Sequence, residues 1–477
     1  MNNRGDPVTD SSRGTELNGP PPAGGPRDPS RGSVGRGAAL LMGARGVFFV
    51  SGYVVQIVLV HFLEQSYFGI WGLILGVLQV GRTATATGPG RAVSRFTALH
   101  ADAPLAVRRE GMKLLLGIGG GLGLALLAGA PLLARLLGDP GLTPYLRITG
   151  LFMPMFGLYS LYLGSLNGMR AFGRQALVMA SYSFLRMAAI VLFLLFGAQL
   201  FGVLTASWLG LSLAVLVGRR CQLRSDQPAP VAWTAIGRFA VPVTLFALAL
   251  TVFRNLDVFM VKALMGANDV VGVYAAARVI AMVPQAALFG VSAALFPAIA
   301  HALHDSDPKR LQSYITRSWR YCLLVLTPFA LLVAAVAGEL VVFIYTDEYA
   351  PSADPLRVLV FGYVLISLFH VGTTIITALG HPRFAMGLTF IMLLVDVLLT
   401  RLLIPPLGLP GAALATTISA LGGVLCAVIW LTRRFGPLVP LNSLLRIALC
   451  ALGIAAPGVM LPMEGTGVLF GFIILGA

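Results

Sequence analysis

Apolar runs of about twenty residues or more recur along nearly the whole chain, separated by short polar breaks. About 20 residues rising roughly 1.5 Å each match the hydrocarbon thickness of a bilayer. Inside lipid every backbone N–H and C=O must be satisfied internally, so only helices or a closed barrel can cross. Unbroken apolar runs of this length, without two-residue alternation, select helices. The predicted spans are 38–63, 67–86, 112–136, 145–167, 174–197 and 200–218, then 237–265, 270–300, 317–345, 354–379, 383–404, 409–432 and 442–461. A last apolar piece, 465–477, is too short to cross alone, so it is a half-helix or the sequence stops inside a further span. Charged residues make up 11% of the chain, against roughly 25% in soluble domains. The expected fold class is an all-α polytopic membrane protein.

The basic residues alternate between connections. Arg108-Arg109, Arg170 and Arg174, Arg219-Arg220 and Arg224, Lys309-Arg310, Arg383, and Arg433-Arg434 fall in every second loop. The intervening loops, such as 138–144, 265–270 and 345–354, hold no Lys or Arg. The positive-inside rule then places the basic loops and the N-terminus in the cytoplasm. The net charge of +15 is accounted for by this pattern, and no nucleic-acid partner is invoked. Residues 1–36, rich in Gly, Pro, Ser and Arg, lack an apolar run and are expected to be a disordered cytoplasmic tail. The first apolar segment is long enough to span, unlike the core of a cleavable signal.

Residues 219–236 are the one internal stretch with the character of a linker. They divide the chain into a six-helix bundle at 37–218 and another at 237–435, followed by extra C-terminal helices at 436–477. Weak self-similarity relates the halves: Phe68-Gly69-Ile70-Trp71 follows the first span as Val271-Gly272-Val273-Tyr274 follows the seventh. An even number of spans per half makes the repeats parallel, the arrangement of bundles that rock about a central cavity.

Several signals point away from catalysis and bound cofactors. The four cysteines (Cys221, Cys322, Cys426, Cys450) are far apart and read as small core residues, not metal ligands or a disulfide framework. Gly117 to Gly123 is glycine-rich but lies inside an apolar span and leads to no Gly-Lys-Ser/Thr, so it is no nucleotide loop; close helix packing is the expected use. His301 and His304 share a helical face without a third metal ligand. No cofactor and no metal are expected, and the chain is not read as an enzyme.

Three stretches of the second half, NLDVFMVKALMGANDVVGVYAAARVI (255–280), AALFPAIA (293–300) and IPPLGLPGAALATTIS (404–419), resemble the polysaccharide-biosynthesis or O-antigen flippases. These belong to the multidrug/oligosaccharidyl-lipid/polysaccharide exporter superfamily. EQSYFGIWGL (64–73), Arg91 with Arg95, and SLYLGSLNGMRAFGRQAL (160–177) extend the resemblance to roughly residues 38–435. It implies two six-helix bundles around a cavity open alternately to each side. It also implies transport of polyprenyl-pyrophosphate-linked sugars for O-antigen, capsule or exopolysaccharide, in a bacterial inner membrane. A monomer is expected.

Charges within the spans are costly and therefore mark functional hypotheses. Arg254 and Asp257, three apart, share a helical face. They form a mutual ion pair, or Arg254 and Arg278 present guanidinium forks to a pyrophosphate while Asp257 spaces them or takes up H⁺ or Na⁺. Lys262 is expected to snorkel to the outer surface. Arg186, mid-span without an acid nearby in sequence, is the lone candidate for an anionic ligand. Gly88-Pro89-Gly90 interrupts the second span beside Arg82, Arg91 and Arg95, which line a cavity or serve as ordinary cytoplasmic-end arginines. Asp396 is a paired structural acid or a coupling-ion site. The rival readings are a multidrug/cation antiporter, which needs acidic cavity residues, and a membrane glycan polymerase or ligase, which needs a large outer loop.

Overall fold

The computed structural model describes residues 29–222, 231–283 and 308–438, with the single positions 285, 299 and 449. Among the described residues the chain is helical, with no strand. The expected C-terminal spans, the second half of the span at 270–300, His301, His304 and Cys450 otherwise lie outside them.

The first half comprises α1 (Pro29–Phe62), α2 (Gln65–Ala86), α3 (Gly88–Leu99), α4 (Pro104–Leu136), α5 (Thr143–Gly168), α6 (Phe172–Leu195) and α7 (Leu200–Arg220). The second comprises α8 (Trp233–Met265), α9 (Asn268–Ala281), α10 (Pro308–Ala335), α11 (Ala337–Ile344), α12 (Ala353–Ala378), α13 (Pro382–Leu407) and α14 (Leu409–Phe435). Ten of the helices among the described residues are long and apolar enough to cross a membrane. Their outward faces carry large apolar side chains: on α4, Leu124, Leu132 and Leu136 are all more than half exposed. Only lipid makes such a surface favourable. The protein is a multi-pass membrane protein.

Helix boundaries follow local chemistry. Gly266 at φ 78° ends α8, and Gly408 at φ 63° separates α13 from α14, because a left-handed residue stops a helix at little cost only when it lacks a Cβ. α1 starts at Pro29, inside the stretch expected to be a tail; proline suits a first helical turn, and extending an existing helix avoids a new nucleus. The glycine-proline interruption does not unwind the chain. Thr87 joins α2 to α3 in helical geometry, while Pro89 removes one backbone donor.

Within each half the helices pack as a bundle: α1 on α6, α6 on α7 and α4 on α5, then α10 and α14 on α12 and α13 on α14. Gly119 and Gly123 of the glycine run face the backbone of Met153 and Gly150 so closely that a Cβ would sit 2.7 and 2.8 Å from their carbonyls. Small residues thus let α4 and α5 touch, as expected. Of the three cysteines described, only Cys322 is buried. Cys426 is exposed, a correction to the core reading, because no helix among the described residues covers its side of α14.

The two halves meet where α2 and α3 lie against α8 and α9. At the end away from the basic loops the contact is backbone on backbone. A Cβ on Gly69 would come 1.9 Å from the Asn268 carbonyl, and one on Gly272 would come 2.3 Å from that of Gln65. These glycines hold equivalent places in the internal repeat. Gln65 Nε2 donates to the Glu348 carbonyl at 3.1 Å, and the Phe68 and Tyr349 rings meet edge to face at 6.0 Å, so this end of the seam is closed.

Candidate substrate site

The long apolar helix α8 carries Arg254, Asn255 and Asp257 in its second half, and α9 returns Arg278 to the same level. Arg278 is 6% exposed. Its Nε donates to the Tyr363 hydroxyl of α12 at 2.8 Å, and Nη2 donates to the Arg254 carbonyl and to Asn255 Oδ1, each at 2.7 Å. All three acceptors are neutral. The fork ties α8, α9 and α12 together; among the described residues the guanidinium forms no ion pair, with the Asp257 carboxylate within electrostatic reach.

Asp257, 1% exposed, accepts from the Val258 N–H at 2.8 Å and from the Tyr274 hydroxyl at 3.1 Å. It makes no ion pair with Arg254, so the mutual-pair reading fails. Three residues of spacing gives a shared face, but each side chain has a nearer partner on another helix or in its own turn. Arg254 is half-buried. Nη2 donates to Gln285 Oε1, while Nε has no partner.

Other elements converge on Arg254. Its charge is felt at Tyr53 of α1 and at Tyr363 and His370 of α12; Arg91 of α3 acts on His370 as well. Arg91 and Arg95 are exposed, and Arg95 lies over the Phe239 ring of α8 at 4.6 Å. Arg254 and Arg278 are therefore joined at the seam between the halves, and Arg91 stands on α3, the helix that packs on α8. Arg186 is not among them. It sits within the first half, over the Tyr182 ring at 5.5 Å.

Asp396 of α13 is fully buried, and neither carboxylate oxygen has a hydrogen-bond partner. The Thr416 and Ser419 hydroxyls of α14 flank it. Ser419 donates instead to the Ala415 carbonyl at 2.8 Å, and Thr416 Oγ1 is itself unpartnered. An uncompensated buried carboxylate is expensive, so this site calls for a proton or a metal cation. Among the described residues no group of three or more His, Cys, Asp or Glu side chains is placed to hold a metal ion.

Lys262 does not snorkel. It is 1% exposed, and Nζ donates to Asp139 Oδ2 at 3.0 Å and to the Gly266 carbonyl and Asn268 Oδ1, each at 2.6 Å. Asn268 Nδ2 also donates to Asp139 Oδ2 at 2.8 Å. Sequence reasoning missed this latch because Asp139 lies in a distant loop of the other half. It joins the α4–α5 loop to the α8–α9 turn beside the backbone contact of Gly69 and Gly272. Partial burial pushes the Asp139 carboxyl up, but the hydrogen bonds from Asn268 and Lys262 and the lysine charge outweigh it and hold the group below its usual range. A depressed carboxyl stabilises the latched state above its free value of about 4 and loses that contribution as pH falls through the lower latched value.

Asp139→Asn leaves Lys262 buried against neutral acceptors. Breaking a fully buried pair costs about 3–5 kcal/mol; with Asp139 21% exposed, about 2 kcal/mol is expected, roughly a thirtyfold shift toward an open seam. Gln79 lies in the seam, opposite Asn255 at 3.4 Å. A cysteine at position 79 should be labelled faster by an impermeant maleimide in the Asp139→Asn background. Acid below about pH 4 should close the gap between the rates with Asp139 present and in the variant, the loss of thiolate slowing both alike. Unchanged rates would rule the latch out.

Three comparisons bear on this geometry. Over 128 residues the chain is 27% identical to the uncharacterized membrane protein MJ1068 of Methanocaldococcus jannaschii, a match spanning 27% of this chain and 25% of that relative. The solved structure of the lipid II flippase MurJ, in an inward closed conformation, has a TM-score of 0.72 at 15% identity and covers 92% of this chain and 96% of its own. An inward-facing multidrug resistance MATE family transporter of the MOP superfamily has a TM-score of 0.67 at 18% identity, covering 83% and 94%. At such identities the likeness shows a shared fold, here the two-bundle fold expected from the repeat. Residues 58–354, more than half of the chain, match the family described as polysaccharide biosynthesis protein. They include both faces of the seam, and the chain belongs to that family.

Proposed function

We propose that this protein carries a polyprenyl-pyrophosphate-linked oligosaccharide from the cytoplasmic to the outer leaflet of a bacterial inner membrane by alternating access. The bundles 37–218 and 237–435 would rock about the seam, with the N-terminus in the cytoplasm and the latched end outside. The observation that carries this reading is Arg254, a half-buried guanidinium at the seam with an unpartnered Nε, grouped with Arg91 and Arg278. The in-membrane acids nearby, Asp257 and Asp396, are wholly buried. Such a seam receives an anion. A cation antiporter needs accessible acid there, and a polymerase or ligase needs an outer catalytic loop, whereas the loop at 345–354 is largely a short 3-10 turn with Tyr349 and Ser352 buried. The family membership and the lipid II flippase of the same fold fit a lipid-linked glycan as cargo.

Asp396 takes the part of coupling site in this reading: closed to cargo in the state described, it would take up and release H⁺ or Na⁺ as the bundles rock. The test is translocation in proteoliposomes of a fluorescent polyprenyl-pyrophosphate disaccharide, with and without imposed H⁺ and Na⁺ gradients. Gradient-responsive translocation in the native protein, lost in Asp396→Asn, is the expected result. Absence of translocation under every gradient, with a cationic dye moved instead, would overturn the reading in favour of an antiporter.

A further inference from the structure

A second group of cations lies inside the first half. Phe48 of α1, Arg82 of α2, Tyr159 of α5, and Tyr182 and Arg186 of α6 form a connected set. Arg82 lies over the Phe48 ring at 5.0 Å, and Arg186 over the Tyr182 ring at 5.5 Å. Phe48 stacks on Tyr182 at 6.1 Å, and Tyr182 meets Tyr159 at 5.2 Å. The Tyr159 hydroxyl is within electrostatic reach of both guanidinium groups.

Helices α1, α2, α5 and α6 contain no Asp or Glu at all. Arg186 is fourteen residues into α6, so roughly 20 Å from the end bearing the basic loops. Its Nε is buried without a partner. Among the described residues its charge is met by the Tyr182 ring face and by no anion, and a ring face stabilises a cation less than an anion does. The group is not sealed: Arg82 is exposed and Phe48 only half-buried.

We propose that Phe48, Arg82, Tyr159, Tyr182 and Arg186 form a sugar subsite that reads a carboxylate-bearing saccharide of the hexuronic acid class. The proposal rests on the flippase reading for its lipid-linked cargo. A pyranose presents a flat C–H face that packs on an aromatic ring, and a uronic acid adds a planar carboxylate at the ring's edge. A guanidinium stacked on tyrosine keeps its in-plane N–H donors free for such a carboxylate, with two parallel hydrogen bonds. The pyrophosphate would remain at Arg254, so the subsite sets which glycan is accepted.

The experiment compares two probes, a short polyprenyl-pyrophosphate disaccharide ending in glucuronic acid and its glucose counterpart, together with the lipid-free glucuronic disaccharide. Binding is measured on the native protein, Arg186→Gln and Tyr182→Leu in detergent, with Tm recorded for each. Arg186→Gln should weaken the glucuronic lipid probe at least tenfold and change the glucose probe less than twofold. Tyr182→Leu should weaken both, the sugar face being common to them. Equal losses on both probes in Arg186→Gln, or none on either, would overturn the subsite. If the lipid-free glucuronic disaccharide binds through Arg186 while neither lipid probe is translocated, the subsite stands and the flippase reading falls.

Discussion

Arg254→Ala should lower translocation of a polyprenyl-pyrophosphate glycan by about a hundredfold while leaving the fold intact. Hydrogen bonds to charged partners are worth about 1.5–3 kcal/mol each, and a bidentate guanidinium–phosphate contact supplies two in a fixed geometry. At the lower bound for each bond, losing that contact costs about 3 kcal/mol, about two powers of ten in affinity or rate. The folded protein loses little, because the side chain's one described hydrogen bond is to Gln285, and Nε is unpartnered. Arg254→Lys keeps the charge but presents a point cation in place of a fork, and should recover only part of the rate. The assay is the proteoliposome measurement, with Tm as the folding control. Native translocation by Arg254→Ala would remove this arginine from the mechanism.

Arg278→Ala should do the reverse and act chiefly on stability. Its guanidinium satisfies the Tyr363 hydroxyl, the Asn255 amide oxygen and the Arg254 carbonyl at the junction of three helices. Stranding buried acceptors costs about 1–3 kcal/mol apiece, so a total of about 4 kcal/mol is expected once partial relaxation is allowed for. For a chain of this size that is a fall in Tm on the order of 4 °C, against less than about 1 °C for Arg254→Ala. Thermal unfolding in detergent separates the two. A fall in translocation with no change in Tm for Arg278→Ala would assign it to the cargo and not to the junction.

The spans and their alternation were legible because lipid imposes one requirement on every residue of a crossing helix, and hydropathy reports it directly. Side-chain partners were less so. Arg254 and Asp257 looked like a pair from spacing, yet Tyr274 and Gln285 take their place, and no local pattern announces a neutral hydroxyl or amide as a partner. Lys262 looked like a snorkelling residue since its acceptor Asp139 is 123 positions away, in the other bundle. Arg186 has no acid nearby in sequence, and the fold extends that to the helices around it. The aromatic rings beside it were not read, although the absence of Asp and Glu from four helices was a signal available in the sequence. Gly69 and Gly272 were noticed only as a repeat; that the two repeats touch at those positions needed the assembled bundles.

That contact has a physiological consequence. With main chain pressed on main chain at Gly69 and Gly272, the rim there has no room for a file of water molecules. Protons and small ions hop along such files, so a carrier that gaped at this point would discharge the membrane it works in. Two glycines, one from each half, would let a carrier of the kind proposed wait in its shut posture without short-circuiting the cell.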